Sequence, residues 1–258
     1  MGTYHVPNSQ VLVSGFQKGS ALAIALGSVG GTAGIALTSA AFGVATDSSG
    51  GRNAVQSDEA ALQVSLASPA TRILHTLLER PEFGEFSLNA NPAAYALKIR
   101  GDVVLQFFDN GDVRPFVVLN ANLLSPQHES LWTTRYVASL GAPRPLSGDH
   151  SWTTPAGTLN ESVSAELRRA LLVMLTDVSS PYPRNKNDRI AVQGYFPFIK
   201  KRIQVVGLRL ADASDWFAFS PNVPVTSSLS GVNIMDKSVA QFRMAKSNDP
   251  RLKVIATP

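Results

Sequence analysis

The chain has no cysteine. That excludes a disulfide framework, a thiolate nucleophile and any cysteine-ligated zinc or iron–sulfur site. Histidine is scarce: His5, His75, His128 and His150 are the whole supply, and none stands in an H-E-x-x-H motif. No G-x-S-x-G elbow marks a serine nucleophile. A P-loop needs glycine, four residues, then Gly-Lys-Ser/Thr. The nearest stretch, "GFQKGS", puts Lys18 ahead of Gly19. The G-x-G-x-x-G dinucleotide fingerprint fails at Val29 and Thr32. These absences point to no cofactor, no metal site and no catalytic residue. No repeat of fixed period is present, which argues against a solenoid.

Charge is thin, at 16% of residues, and unevenly placed. Residues 1–60 carry two basic and three acidic side chains, residues 61–150 seven and eight, and residues 151–258 fourteen and eight. The net charge of +4 therefore belongs to the last part of the chain, which includes the run Lys200, Lys201, Arg202. These three are the candidate residues for an anionic partner, a lipid surface or a polysaccharide. No aromatic is interleaved with them, so nucleic acid is not an expected partner.

One long stretch lacks charge altogether. Gly19 to Thr46 is 28 uncharged residues, of which eight are Leu, Ile, Val or Phe, eight are Ala and six are Gly. About 20 helical residues cross a bilayer core. Eight strong apolar residues supply roughly −2.4 to −4.8 kcal/mol of insertion energy, and Gly, Ser and Thr oppose it, so a span is marginal. The spacing is more informative. Gly27 and Gly31 stand four apart, as do Gly30 and Gly34. On a helix such pairs line one face and let another backbone approach closely. The expectation is a glycine-zipper packing helix that holds an oligomer together. A pore former inserting residues 19–45 is the alternative that uses the same stretch.

The start "MGTYHVPNSQ" has no basic n-region and no short apolar core, so a signal peptide is expected to have been removed before it. Val6 stands where a myristoylation motif needs Ser or Thr. Composition shifts at "TDSSGGRN", which reads as a linker. Three parts result: a Gly/Ala-rich segment with linker over 1–53, an α+β body over 54–184 and a β-rich unit over 185–258.

In the body, "SPATRILHTLLERPEF" reads as a helix capped by Ser68 and stopped by Pro81, with Ile73, Leu74, Leu77 and Leu78 on one face. "AAYALKIRG" and "VVLQFF" read as strands. "DNGD" before "VRPFVVLNANLL" is a hairpin turn in which Asn110 and Gly111 both take positive φ. "SLWTTRYVASL" completes a meander. "LNESVSAELRRALLVMLTDV" carries Val163, Leu167, Ala170, Leu171 and Met174 as an apolar stripe, the mark of a helix lying on the sheet. The tail reads as four more strands, "RIAVQGYFPFI", "KRIQVVGLRLAD", "DWFAFSP" and "SVAQFRMAK". The fold class is α+β: a mixed sheet with packed amphipathic helices and a smaller β-rich C-terminal unit.

Two adjacent pairs, His128–Glu129 and Asp149–His150, flank one strand. A hydrolase using the 128–151 region is the enzyme alternative. Its local crowding is weak evidence, because catalytic groups assemble from distant segments.

The order of helix, strands, Asn-Gly hairpin, "FVVLNANLL", "LWTTRYVASL" and "VSAELRRALLVML" resembles Gram-negative outer-membrane lipoproteins. Their bodies are similar to the amino-terminal domain of TolB and to the curli-secretion lipoprotein. The resemblance covers roughly residues 68–178. It implies a periplasmic, outer-membrane-anchored protein of the cell envelope, a structural or assembly component of a secretion complex, with no enzymatic residues. Its partners would be other envelope proteins and further copies of itself. The lipobox cysteine of that family has no counterpart in this chain.

Overall fold

The computed structural model describes residues 3–5, 11–17, 20–26, 64, 66–87, 95–108, 110–153, 158–197, 199, 201–224 and 227–255. Two helices run over Ala67–Leu78 (α1) and Thr158–Ser179 (α2). The strands are β1 (Thr3–His5), β2 (Val11–Gln17), β3 (Ser20–Leu26), β4 (Phe86–Ser87), β5 (Tyr95–Phe107), β6 (Asp112–Leu124), β7 (Ser130–Ser139) and β8 (Arg144–Pro145). They continue as β9 (Arg189–Gly194), β10 (Ile203–Asp212), β11 (Trp216–Pro221), β12 (Val232–Asp236), β13 (Gln241–Met244) and β14 (Leu252–Val254). All belong to one sheet, ordered β13-β9-β10-β11-β12-β7-β6-β5-β2-β3-β4, with β1 on β5, β14 on β10 and β8 on β6. Most neighbours are antiparallel, while β12–β7 and β3–β4 are parallel. The α+β class with a mixed sheet is as expected.

The opening stretch departs from its helical reading. Ser20–Leu26 is a strand paired with β2, and β2 pairs in turn with β5, so these residues are part of the sheet. The reason lies in a finer pattern: Leu22, Ile24 and Leu26 alternate with Ala21, Ala23 and Ala25, a period of two. Gly27, Gly30, Gly31 and Gly34 lie outside the described residues. No helix among the described residues is long and apolar enough to cross a membrane.

The central meander is longer than its sequence fragments. "AAYALKIRG" and "VVLQFF" fuse into the 13-residue β5, which pairs with β6 from Ala96↔Leu124 to Phe107↔Val113. One face carries Leu97, Ile99, Leu105, Val117, Leu119 and Tyr136. Against it pack Leu74 and Leu77 of α1 and the whole predicted stripe of α2. The other face is buried too, around Val104, Phe116, Val118 and Val137. Burial on both faces explains why these strands read as continuous apolar runs. At the hairpin, Gly111 carries positive φ (+89°) and Asn110 does not. Asn110 instead uses its side chain, donating to the Asp112 carboxylate and accepting from the Asp112 amide.

Helix α1 begins one residue before the predicted cap. Leu66 is the N-cap and makes no side-chain bond, so Ser68 sits inside the first turn. Pro69 is tolerated there because first-turn amides have no helical acceptor. Arg80 leads into a 3₁₀ turn at Pro81–Phe83, which ends the helix as expected.

The C-terminal strands continue the same sheet through β12, which the sequence reading passed over. A second core gathers there: Ile190, Val192, Phe196, Val205, Phe217 and Phe219, with Phe196 edge-on to Phe219 at 6.0 Å.

Candidate binding cleft

The sheet splits open where β7 runs past β12. Their parallel pairing joins only Tyr136–Ala138 to Val232–Ile234. Upstream, Ser130–Arg135 has β6 along one side and no strand along the other among the described residues. A cleft of about 590 Å³ opens there. Trp132, Thr133 and Thr134 of β7 form one wall, and Ser220 and Pro221 of β11 the facing one. Val178 of α2, with Pro181 and Arg184 just beyond it, completes the lining.

The base of the cleft is a buried polar network. The Asp177 carboxylate, on the same stripe of α2 as Leu171 and Met174, accepts from the Tyr136 hydroxyl at 2.9 Å and from Arg184 at 3.1 Å. It also accepts from the Tyr182 amide at 3.2 Å. The side chain of Asp177 is 1% exposed, and that of Arg184 is 45% exposed. A buried carboxylate costs several kcal/mol unless paired and hydrogen-bonded; here every bond it makes fixes the geometry of the wall. Burial, reinforced by the Asp177 charge, pushes the Tyr136 phenol well above the ordinary range. Tyr136 is therefore a fixed hydrogen-bond donor. Trp132 leans on the same ring, centroids 6.5 Å apart.

The rim is held from the opposite face. Arg135 is buried, and its guanidinium donates to the Ser228 carbonyl and, at 2.9 Å, to the Ser230 carbonyl. Burial lowers its pKa to about 10, so it remains charged at neutral pH. Gly231 follows with φ +93°, and a Cβ added there would stand 2.3 Å from the Arg135 carbonyl oxygen. This contact brings the chain against β7 and starts β12.

The histidine region is not a single site. His128 stands in the turn after β6, and β8 pairs with the start of β6 at Asp112 and Val113, close to the loop that carries His150. From Val113 to Leu124 β6 extends about 36 Å, which separates the two ends. Both histidines are exposed, in turns with positive φ (65° and 55°). The hydrolase alternative thus loses its constellation, and no group of three metal-ligating side chains occurs among the described residues. Of the basic run, Lys201 is exposed and Arg202 half-buried at the start of β10; Lys200 lies outside the described residues. The "LWTTR" stretch lies at the start of β7: Leu131 is exposed, and Trp132 lines the cleft.

Asp177, Arg184, Tyr136 and Gly231 were not singled out from sequence. One signal was available: Asp177 interrupts the apolar stripe at the i+3 position after Met174. No family model matches the chain, and neither a curated protein nor a solved structure matches it.

Proposed function

We propose that the protein is a non-catalytic assembly component that binds an extended segment of a partner chain in the cleft beside β7. The open edge of β7 inside that cleft carries the reading. Ser130–Thr134 is about 17 Å of strand, and a strand edge with no neighbouring strand among the described residues offers backbone donors and acceptors that an extended peptide can satisfy by adding a strand. Trp132 and Val223 provide apolar contact, and Thr133, Thr134, Ser220 and Ser230 surround it with polar groups. Asp177 is engaged by Tyr136 and Arg184, which suits a wall better than a general base. In this reading the β-rich strands from β9 onward act as a smaller C-terminal unit with its own phenylalanine core.

The setting we propose is the cell envelope of a Gram-negative bacterium, as a lipoprotein-like subunit at the outer membrane that contacts other envelope proteins and further copies of itself. The order of strands and helices over residues 68–178 supports it. Light scattering on the purified chain tests the assembly role: the expected mass is a multiple of 27.5 kDa. Trp132→Arg, placed in the cleft, should return it to the monomer. A wild-type protein that stays monomeric, and whose cleft yields no adduct from a photo-crosslinker at Thr134 in envelope preparations, would overturn the proposal.

A further inference from the structure

A second concavity of about 550 Å³ lies on the other side of Ser220 and Pro221, which it shares with the cleft. Its remaining lining is Lys186, Arg189, Gly207, Leu208, Asn222 and Arg251. Three cations converge there, two from the stretch 186–189 and one from Arg251, and no carboxylate among the described residues lines the groove. Lys186 sits on the 3₁₀ turn after α2, Arg189 is the first residue of β9, and Arg251 immediately precedes β14.

Their backbones are pinned by the sheet. The Arg189 carbonyl accepts from Ala245, the Arg251 carbonyl from Val206, and the Asn222 amide donates to Val206. The cationic heads have no ion-pair partner among the described residues. The contrast with neighbouring arginines is sharp. Arg184 faces Asp177, Arg209 faces Asp212 and Asp188, Arg243 faces Asp249, and Arg169 faces Glu166. Asp188 lies between Lys186 and Arg189 in sequence, yet it turns to Arg209 at 3.6 Å. Among the described residues, Asp188, Asp212 and Asp249 are thus paired with arginines outside the groove. Like charges held together repel, and a bound anion relieves that repulsion.

We infer that this groove binds a phosphate-bearing ligand. Two guanidinium forks and an ammonium match phosphate oxygens, and the Asn222 side-chain amide adds a neutral donor. Leu208 and Pro221 give the remainder of the ligand an apolar wall. The volume falls in the range of small-molecule sites. Neither Lys201 nor Arg202 lines the groove, and the inference does not depend on the assembly role of the cleft.

The test is calorimetric titration of the full chain with inorganic pyrophosphate at low salt, beside vesicles of phosphatidylglycerol and of phosphatidylcholine. Saturable pyrophosphate binding is expected. It should weaken about tenfold or more in Arg189→Gln and in Arg251→Gln, weaken again as salt rises, and persist in Lys201→Gln. Phosphatidylglycerol binding that vanishes in the Arg189→Gln/Arg251→Gln double variant would identify a lipid headgroup as the source. Pyrophosphate binding without vesicle binding would identify a soluble phosphorylated ligand. No saturable binding of either probe, or binding that the double variant retains, overturns the inference. Unchanged thermal midpoints in these surface variants would show that folding is not the cause.

Discussion

Gly231 tests the claim that close contact between β12 and β7 builds the cleft. Alanine there faces two penalties. Its φ of +93° lies in the left-handed region, which costs an L-residue about 1–2 kcal/mol. Its Cβ would also stand 2.3 Å from the Arg135 carbonyl oxygen and 3.1 Å from the Arg135 Cβ. The first is a backbone atom in a strand fixed by β6, so the strands must separate, a strain of a further ~1–3 kcal/mol by analogy with overpacked cores. Gly111 supplies the control. Its φ is +89°, and an added Cβ would meet nothing within 4 Å, so Gly111→Ala carries the first penalty alone. For a chain near this size, 1 kcal/mol moves the thermal midpoint by roughly 2–4 °C. Gly111→Ala should lower the midpoint by about 3–6 °C, and Gly231→Ala by about 6–15 °C. Differential scanning calorimetry on the two variants side by side reads the difference. If both melt within a degree of one another, the Gly231–Arg135 contact does not hold the junction.

Two further outcomes follow from buried polar groups. Tyr136→Phe removes the hydroxyl that donates to Asp177 but leaves the Arg184 and Tyr182 bonds. It should cost about 1–2 kcal/mol in urea unfolding, and a neutral result would mean the hydroxyl is not needed at the cleft base. Glu166 is buried against Arg169, and one of its carboxylate oxygens has no partner among the described residues. Burial raises its pKa to about 7 from an ordinary 4.5. The folded state therefore keeps a proton that the unfolded chain releases, so this group's contribution to stability falls as pH rises from about 4.5 to 7. Glu166→Gln should match the wild type near pH 4.5 and exceed it by up to about 3 kcal/mol at pH 8. A difference that does not vary with pH would refute that reading.

Much of the architecture was legible because it rests on local pattern. The stripe on α2 from Val163 to Met174 is buried as its spacing implies. The Asn110–Gly111 turn sits where the two apolar runs meet, although Gly111 and not Asn110 supplies the positive φ. The start of the glycine-rich stretch misled because its amino-acid inventory hid a two-residue alternation over Leu22, Ile24 and Leu26. β12 escaped notice because "VNIMD" is short, and its place is set by parallel pairing with a strand nearly a hundred residues earlier. The candidate sites were least legible of all. The histidine pairs look close in sequence, yet they stand at opposite ends of β6. Arg251 is far in sequence from Lys186 and Arg189, yet the three line one groove.

By itself the sequence determined what depends on periodicity and on single-residue backbone freedom: two amphipathic helices, a run of strands, their turns, and the lack of thiol chemistry. Tertiary structure alone decided the rest. Strand order, the parallel joint between β7 and β12, and the convergence of Arg251 with Lys186 and Arg189 depend on which distant segments share a ladder. Backbone hydrogen bonding is blind to side-chain identity, so that choice is made by packing the whole chain at once.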